Sequence, residues 1–443
     1  MTTIADVGEA MQTVLTRVAD TAATATRFVQ RESKLGGAEF VQTLVFGWLA
    51  NAEATLEDLA QTAATLGVTI SPQGLDQRFT RQAAECLQQV LAHAVTVLIA
   101  ADPVAIPLLQ RFQGVYLLDS STIQLPDALQ AVWPGCGGNT PTHTSAALKF
   151  QVRLNVTTGQ LDGPLLQLAR ENDASAPLQT APLPTGALRL ADLGYFSLDV
   201  LRDMAAAGVY WLSRLQAGTA VYTANGQRCE KIGAWLAQQG ERLIDQPIQL
   251  GVAHRLPCRL LAVRVPQAVA DQRRRRLQAE GRRRGKTVTQ RCLALADWTV
   301  LLTNLPPDKL SVHEAFVLAR LRWQIELLFK LWKDHGRIDE WRSTKPYRIL
   351  CEVYAKLLAM LVQHWVLAVA CWGYPNRSLF KAAHTVQLHA LHLASAFRRS
   401  LERLVEALTT IHACLTIGCR INKRKKLPHT YQLLLDPASL PLA

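Results

Sequence analysis

The spacing of apolar and polar positions changes character three times along the chain. Residues 1 to about 110 are rich in Ala, Leu, Thr and Gln with few strand signals, and predict helices. Within them Thr55–Thr80 reads as a helix, a break at Gly67 and a second helix opened by Ser71 and Pro72, a cap followed by a first-turn proline. From Gly114 short apolar runs take over. GVYLLDSSTIQLP (Gly114–Pro126) and LRLADLGYFS (Leu188–Ser197) read as buried strands, and Ala146–Leu168 alternates about a Thr-Thr-Gly turn as a hairpin does. Val209–Leu215, Ile248–Val252, Arg259–Val265 and Trp298–Asn304 also read as strands. From Leu318 the period is helical again: in LARLRWQIELLFKLWK, Leu321, Ile325, Leu328 and Trp332 fall at i, i+4, i+7 and i+11, one buried stripe. Val353–Trp372 is the longest apolar run. Lys356, Gln363 and His364 interrupt it, so it reads as a buried helix and not a membrane span.

The second stripe of the Leu318–Lys333 helix is polar. Arg322, Glu326 and Lys333 recur at i, i+4 and i+11, which holds one acid between two cations on a helix anchored from behind. Two apolar runs upstream each deliver an acid, Asp119 and Asp192, at the carboxyl end of a strand, where open sheets place ligands. Three converging carboxylates repel one another unless cations neutralise them. Two divalent ions about 3.5–4 Å apart are the usual solution in phosphodiester chemistry. Oxygen-only ligation favours Mg²⁺, with Mn²⁺ as a substitute, over zinc. The plain reading of the same stripe is an intrahelical Arg–Glu pair.

Charge narrows the partner. The chain carries 48 Lys and Arg against 35 Asp and Glu, a net charge of +13 over 443 residues, which calls for a polyanion. The densest cluster is Arg273–Lys286 (RRRRLQAEGRRRGK), eight cations against Glu280. Arg273, Arg274, Arg275, Arg276, Arg282, Arg283, Arg284 and Lys286 are its candidate phosphate contacts, a type that binds strongly with little sequence discrimination. Arg420–Lys426 is a second basic cluster. Gln77, Arg78 and Arg81 are the residues a DNA-reading second helix would present. Nine scattered cysteines without a CxxC pair argue against a disulfide framework, and MTTIADVGEAM lacks a signal-peptide pattern, so a reducing cytoplasm is expected.

Taken together, these motifs resemble the DDE transposases of bacterial insertion sequences, in particular insertion-sequence family four. Arg322, Glu326 and Lys333 keep the spacing of that family's Tyr-x2-Arg-x3-Glu-x6-Lys signature, with Ala319 at the tyrosine position. DSST from Asp119, DLGYFS from Asp192 and the segment beginning at Trp298 resemble the family's other motifs. The resemblance implies an α/β fold: an RNase H-like mixed sheet flanked by helices and interrupted by a β-rich insertion domain. It implies a helical DNA-binding region at 1–110, a catalytic core at 111–205 and 311–345, the insertion at 206–310 and a helical region at 346–443. Asp119, Asp192 and Glu326 would hold two Mg²⁺ ions, and Arg322 and Lys333 would contact phosphates. Trp298 would stack on a flipped base or pack in the core; Tyr195 would line the DNA channel. His143 and Lys149, after the glycine-rich Gly135–Asn139, would sit near the first aspartate. The expected activity is cutting of an element's terminal inverted repeats in double-stranded DNA, by hydrolysis and then transesterification through hairpin ends, and joining to target DNA. A homodimer would do this at the bacterial nucleoid, with no membrane partner. A catalytically silent DNA-binding derivative and a metal-dependent nuclease are the alternatives.

Overall fold

The computed structural model describes residues 2–31, 34–136, 145–422 and 428–441. Early helices include α1 (Leu56–Thr65), α2 (Pro72–Asp76) and α3 (Arg81–Ala94). Strands β1 (Val115–Leu125), β2 (Ala146–Asn155), β3 (Leu161–Leu168), β4 (Leu188–Ala191), β5 (Tyr210–Arg214), β6 (Val221–Thr223), β7 (Leu243–Leu250) and β8 (Leu256–Arg264) follow. Helix α4 (Gln267–Arg283) then leads to β9 (Trp298–Thr303). Helices α5 (Val312–Leu321), α6 (Trp323–Asp334) and α7 (Pro346–Cys371) come next, and further helices run to Ile417.

The chain divides into two compact units. The first comprises Met1–Ala105, Asp119–Glu171 and Ile325–Lys423; the second comprises Ile106–Leu118, Asn172–Gln324 and Arg424–Ala443. Strand β1 is shared between them.

In the second unit the strands run β1-β4-β5-β9-β8-β7-β6. β1 and β4 are parallel, as are β4 and β5, and the remaining pairs are antiparallel. β6 to β9, which with β5 fall in the stretch 206–310 expected to be an insertion, extend the sheet edge beyond β5, and the same stretch carries the 17-residue helix α4. Its apolar core gathers Trp211, Ile248, Leu260, Trp298 and Val300.

In the first unit the order is β3-β2-β1, with β2 and β3 forming the predicted antiparallel hairpin. The parallel β1, β4 and β5 of the second unit and the antiparallel β2–β3 hairpin of the first are the mixed pairings of an RNase H-like fold.

Helix α7 is the first unit's centre and packs against α3 and the helix Gly37–Ala50. It is long and apolar enough to cross a bilayer, yet 94% of its most apolar window is buried in protein. Its three polar interruptions are each accommodated within the protein. Gln363 Nε2 donates to Ala383 O at 3.1 Å, His364 Nε2 meets Gly159 O at 2.7 Å, and Lys356 pairs with Glu352 at 2.8 Å. Each buried polar group finds a partner, as a buried position requires. Burial holds His364 down to about 4 against the opposing pull of the Gly159 bond.

Candidate active site

Strand β1 buries Val115–Leu118 completely and then becomes half-exposed from Asp119. Its last register pair with β4 is Leu118↔Ala191, and on each strand the next residue is an aspartate, Asp119 and Asp192. Parallel pairing therefore stops one residue before each acid; Asp192 follows the end of β4, whereas β1 continues to Leu125, so Asp119 lies within its strand and not at its carboxyl end as expected. Asp119 Oδ1 accepts from the Ser120 N–H at 2.8 Å. Asp192 has 46% of its side chain exposed and receives the Arg322 guanidinium at 3.7 Å.

The predicted Leu318–Lys333 helix is split. α5 ends at Leu321, α6 begins at Trp323, and Arg322 between them keeps right-handed helical angles (φ −51°, ψ −32°). The apolar stripe survives the interruption: Leu321, Ile325, Leu328 and Trp332 are all buried. Trp332 and Phe329 pack on Phe150 of β2, with centroids 5.9 and 5.5 Å away. Glu326 lies in the first turn of α6 and is half-buried. Lys333, in its last turn, donates to Thr122 O of β1 at 3.2 Å and pairs with Asp339 at 3.7 Å. Arg322 is thus joined to the second acid, and Lys333 to the strand that carries the first. Among the described residues, no three His, Cys, Asp or Glu side chains gather as a ready-made ion site. The chemistry of the donors nonetheless suits a hard divalent cation: carboxylate oxygens, accessible to solvent, one already matched by a positive group.

Several expected contacts are corrected by burial. Tyr195 is 1% exposed, its carbonyl accepting from Gln179, so its ring lines no channel. Trp298 is 5% exposed in the core of the second unit, with Arg264 over its ring. Arg273 donates to Trp298 O and Thr299 Oγ1, both at 3.0 Å, and Arg274 pairs with Asp271 and Asp297. These two pin α4 to its own unit. Arg275, Arg276, Arg282, Arg283 and Lys286 point outward, and exposed Arg284 pairs with Glu280 at 2.7 Å.

The expected DNA-reading second helix is only the five-residue α2. Gln77 caps it, Arg78 follows in a turn, and Arg81 opens α3 paired with Glu85. Arg78 donates to Leu35 O at 3.0 Å and lies over Phe28 at 4.9 Å. The three therefore share no reading helix, and Arg78 ties the fold together. Lys149 is buried and donates to Glu171 O. His143, Gly137–Asn139 and Lys423–Lys426 lie outside the described residues. Asp339 and Thr122, the partners of Lys333, had no sequence signal, because one follows the helix end and the other contributes a backbone carbonyl.

The chain matches the family described as "Transposase DDE domain" over residues 110–362, more than half its length. It is similar to the transposase for insertion sequence element IS231B of Bacillus thuringiensis subsp. berliner, 26% identical over 424 residues, covering 90% of this chain and 88% of that protein. The IS231F transposase of B. thuringiensis subsp. israelensis is 28% identical over 358 residues, covering 76% and 74%. The IS1151 transposase of Clostridium perfringens is 24% identical over 372 residues, covering 77% and 76%.

Proposed function

Because the chain belongs to the transposase DDE domain family, we propose that it is an insertion-sequence transposase that cuts its element's DNA ends and joins them to a target. The observation that carries this reading is the register of β1 and β4, after whose last pair, Leu118↔Ala191, each strand continues with an aspartate. The ion pair of Arg322 with the second of these acids supports it.

In this reading Asp119, Asp192 and Glu326 hold two Mg²⁺ ions, which Mn²⁺ replaces. When bound, such ions supply Lewis-acid polarisation of the phosphodiester and neutralise charge on its entering and leaving oxygens. Arg322 balances Asp192 until DNA arrives and then offers its planar fork to a non-bridging phosphate oxygen. Lys333 gives a second, single-point grip on the scissile segment. Water opens one strand and leaves a 3′-hydroxyl. That hydroxyl attacks the opposite strand to close a hairpin, and after reopening it attacks target DNA. Both ends must meet at one target, so the working form is a homodimer on double-stranded DNA, in a bacterial cytoplasm at the nucleoid and with no membrane partner.

The test is cleavage of duplexes carrying the DNA that flanks the gene on each side, with Mg²⁺, Mn²⁺ or EDTA, read on denaturing gels beside Asp192→Ala. Metal-dependent nicks, a fold-back product and joined target strands, all absent from the control, are expected. Cutting without joining would identify a nuclease, and binding without cutting a silent DNA-binding derivative.

A further inference from the structure

Lys333 ends a helix whose exit is held from an unusual direction. After Asp334 the chain turns back at once: Arg337 N–H bonds Lys333 O at 3.1 Å, with Arg337 in the left-handed region at φ +44°. A side chain on Gly336 would collide with Met360 and with the Trp332 carbonyl, so only glycine lets the turn lie this close to α7. Ile338 is fully buried beneath it. The turn is then closed by Lys356, from inside the apolar helix α7. Its ammonium donates to Arg337 O at 3.1 Å and Glu340 O at 2.8 Å, and pairs with Glu352 Oε1 at 2.8 Å. Three N–H groups meet three acceptors. The two carbonyls bracket residues 338 and 339, so Lys356 sets the position of Asp339, which faces Lys333 at 3.7 Å while Lys333 also bonds Thr122 O of β1.

We infer that Lys356 and Asp339 are positioning residues for Lys333: the buried ammonium fixes the 337–340 turn, and the turn's carboxylate aims the Lys333 ammonium beside β1. The inference rests on the reading that Lys333 grips a DNA phosphate during cutting. Helix packing alone gives no reason for this lysine. A buried ion pair contributes little net stability compared with apolar residues of similar size. What an apolar residue lacks is the ability to bond two carbonyls of a neighbouring turn. Burial pulls the Lys356 ammonium toward neutrality, and the Glu352 carboxylate opposes that pull while the turn takes the other two N–H groups.

The test uses the full chain and the duplexes flanking its gene, with single-turnover cutting at saturating protein, binding and thermal melting measured for each variant. Lys333→Met should slow cutting roughly a hundredfold, the scale for losing one pre-aligned donor to a charged transition state. Asp339→Asn should slow it about tenfold by misplacing that donor. Its binding should stay within about twofold and its melting unchanged, because the pair it breaks is part-exposed. The deciding variant is Lys333→Met with Asp339→Asn, which should cut no more slowly than Lys333→Met alone, since Asp339 acts through Lys333. The apolar replacement Glu352→Leu with Lys356→Met strands the Arg337 and Glu340 carbonyls, so it should melt below the parent protein and, assayed where it is still folded, cut like Asp339→Asn. Multiplying defects in the double variant, or parental cutting by Asp339→Asn, would overturn the inference. A parent protein that cuts with neither Mg²⁺ nor Mn²⁺ would overturn the transposase reading beneath it.

Discussion

Replacing Arg275, Arg276, Arg282 and Arg283 together by Gln tests how α4 meets DNA. The helix has two faces. Ala270, Arg273, Arg274 and Gly281 turn inward, and the two arginines spend their charge on Trp298 O, Thr299, Asp271 and Asp297. The four outward arginines repeat with a seven-residue spacing on the exposed side, free of the acids that hold Arg274 and Arg284. If each neutralises one phosphate, the slope of log affinity against log salt should fall by about 3.6, at about 0.9 per contact. Between 50 and 200 mM salt the parent protein should then lose about 150-fold more affinity than the variant. Fluorescence anisotropy on a labelled duplex of unrelated sequence, titrated at several salt concentrations, reads this directly. Arg273→Gln is the companion. It should leave the slope unchanged and lower stability by about 1–3 kcal/mol, the cost of stranding buried acceptors. An unchanged slope in the four-fold variant would refute the two-faced reading of the helix.

Glu326→Gln and Asp192→Asn should abolish cutting while retaining binding to the flanking duplexes; loss of binding with cutting in both would make the acids structural. His364 should make stability pH-dependent. Its folded value of about 4 lies below its ordinary 6.5, so the unfolded chain binds the proton more readily. Its contribution is therefore complete above about pH 6.5 and lost as pH falls toward 4, about 3 kcal/mol in all. His364→Gln keeps a donor for Gly159 O but does not titrate, and denaturant melts from pH 7 to 4 should show a flatter profile; parallel profiles would remove His364 as the cause. Trp298→Ala should cost about 3–5 kcal/mol as a core truncation, and an unchanged melt would restore a DNA-facing role for that ring.

What was legible in the sequence was periodic, and what was not depended on which way a side chain faces. The stripe of Leu321, Ile325, Leu328 and Trp332 predicted burial, and all four are buried, because their spacing alone determines a face. The apolar runs before Asp119 and Asp192 predicted strands that end in acids; the β1–β4 register stops one residue before each, but β1 itself runs on to Leu125 and carries Asp119 in its interior. Aromatic identity was a poorer guide. Trp298 and Tyr195 are large apolar bodies with one polar atom, equally suited to a core and to a nucleotide, and burial in this chain assigns both to packing. The run of arginines looked uniform because arginine suits either solvent or a buried carbonyl. Only the helix phase, with Ala270 and Gly281 on its inner side, separates Arg273 and Arg274 from their neighbours. Ser71 and Pro72 did open a helix, but nothing local signalled that it stops after five residues; Arg78 is drawn instead to the carbonyl of Leu35.

Lys356 shows how such a residue becomes readable. As a charge inside the longest apolar run it marked α7 as a helix buried in protein, and that much was local. Its task was not, because the carbonyls it holds lie sixteen and nineteen residues earlier in a turn whose shape depends on Gly336 and Arg337. A charge that interrupts an apolar run has to be paired, and the pairing must run to something outside its own helix face. Glu352 answers only part of the demand. The remaining two N–H groups lead to the turn, to Asp339 and so to Lys333, which is why the polar exception in the most apolar helix points back to the signature helix.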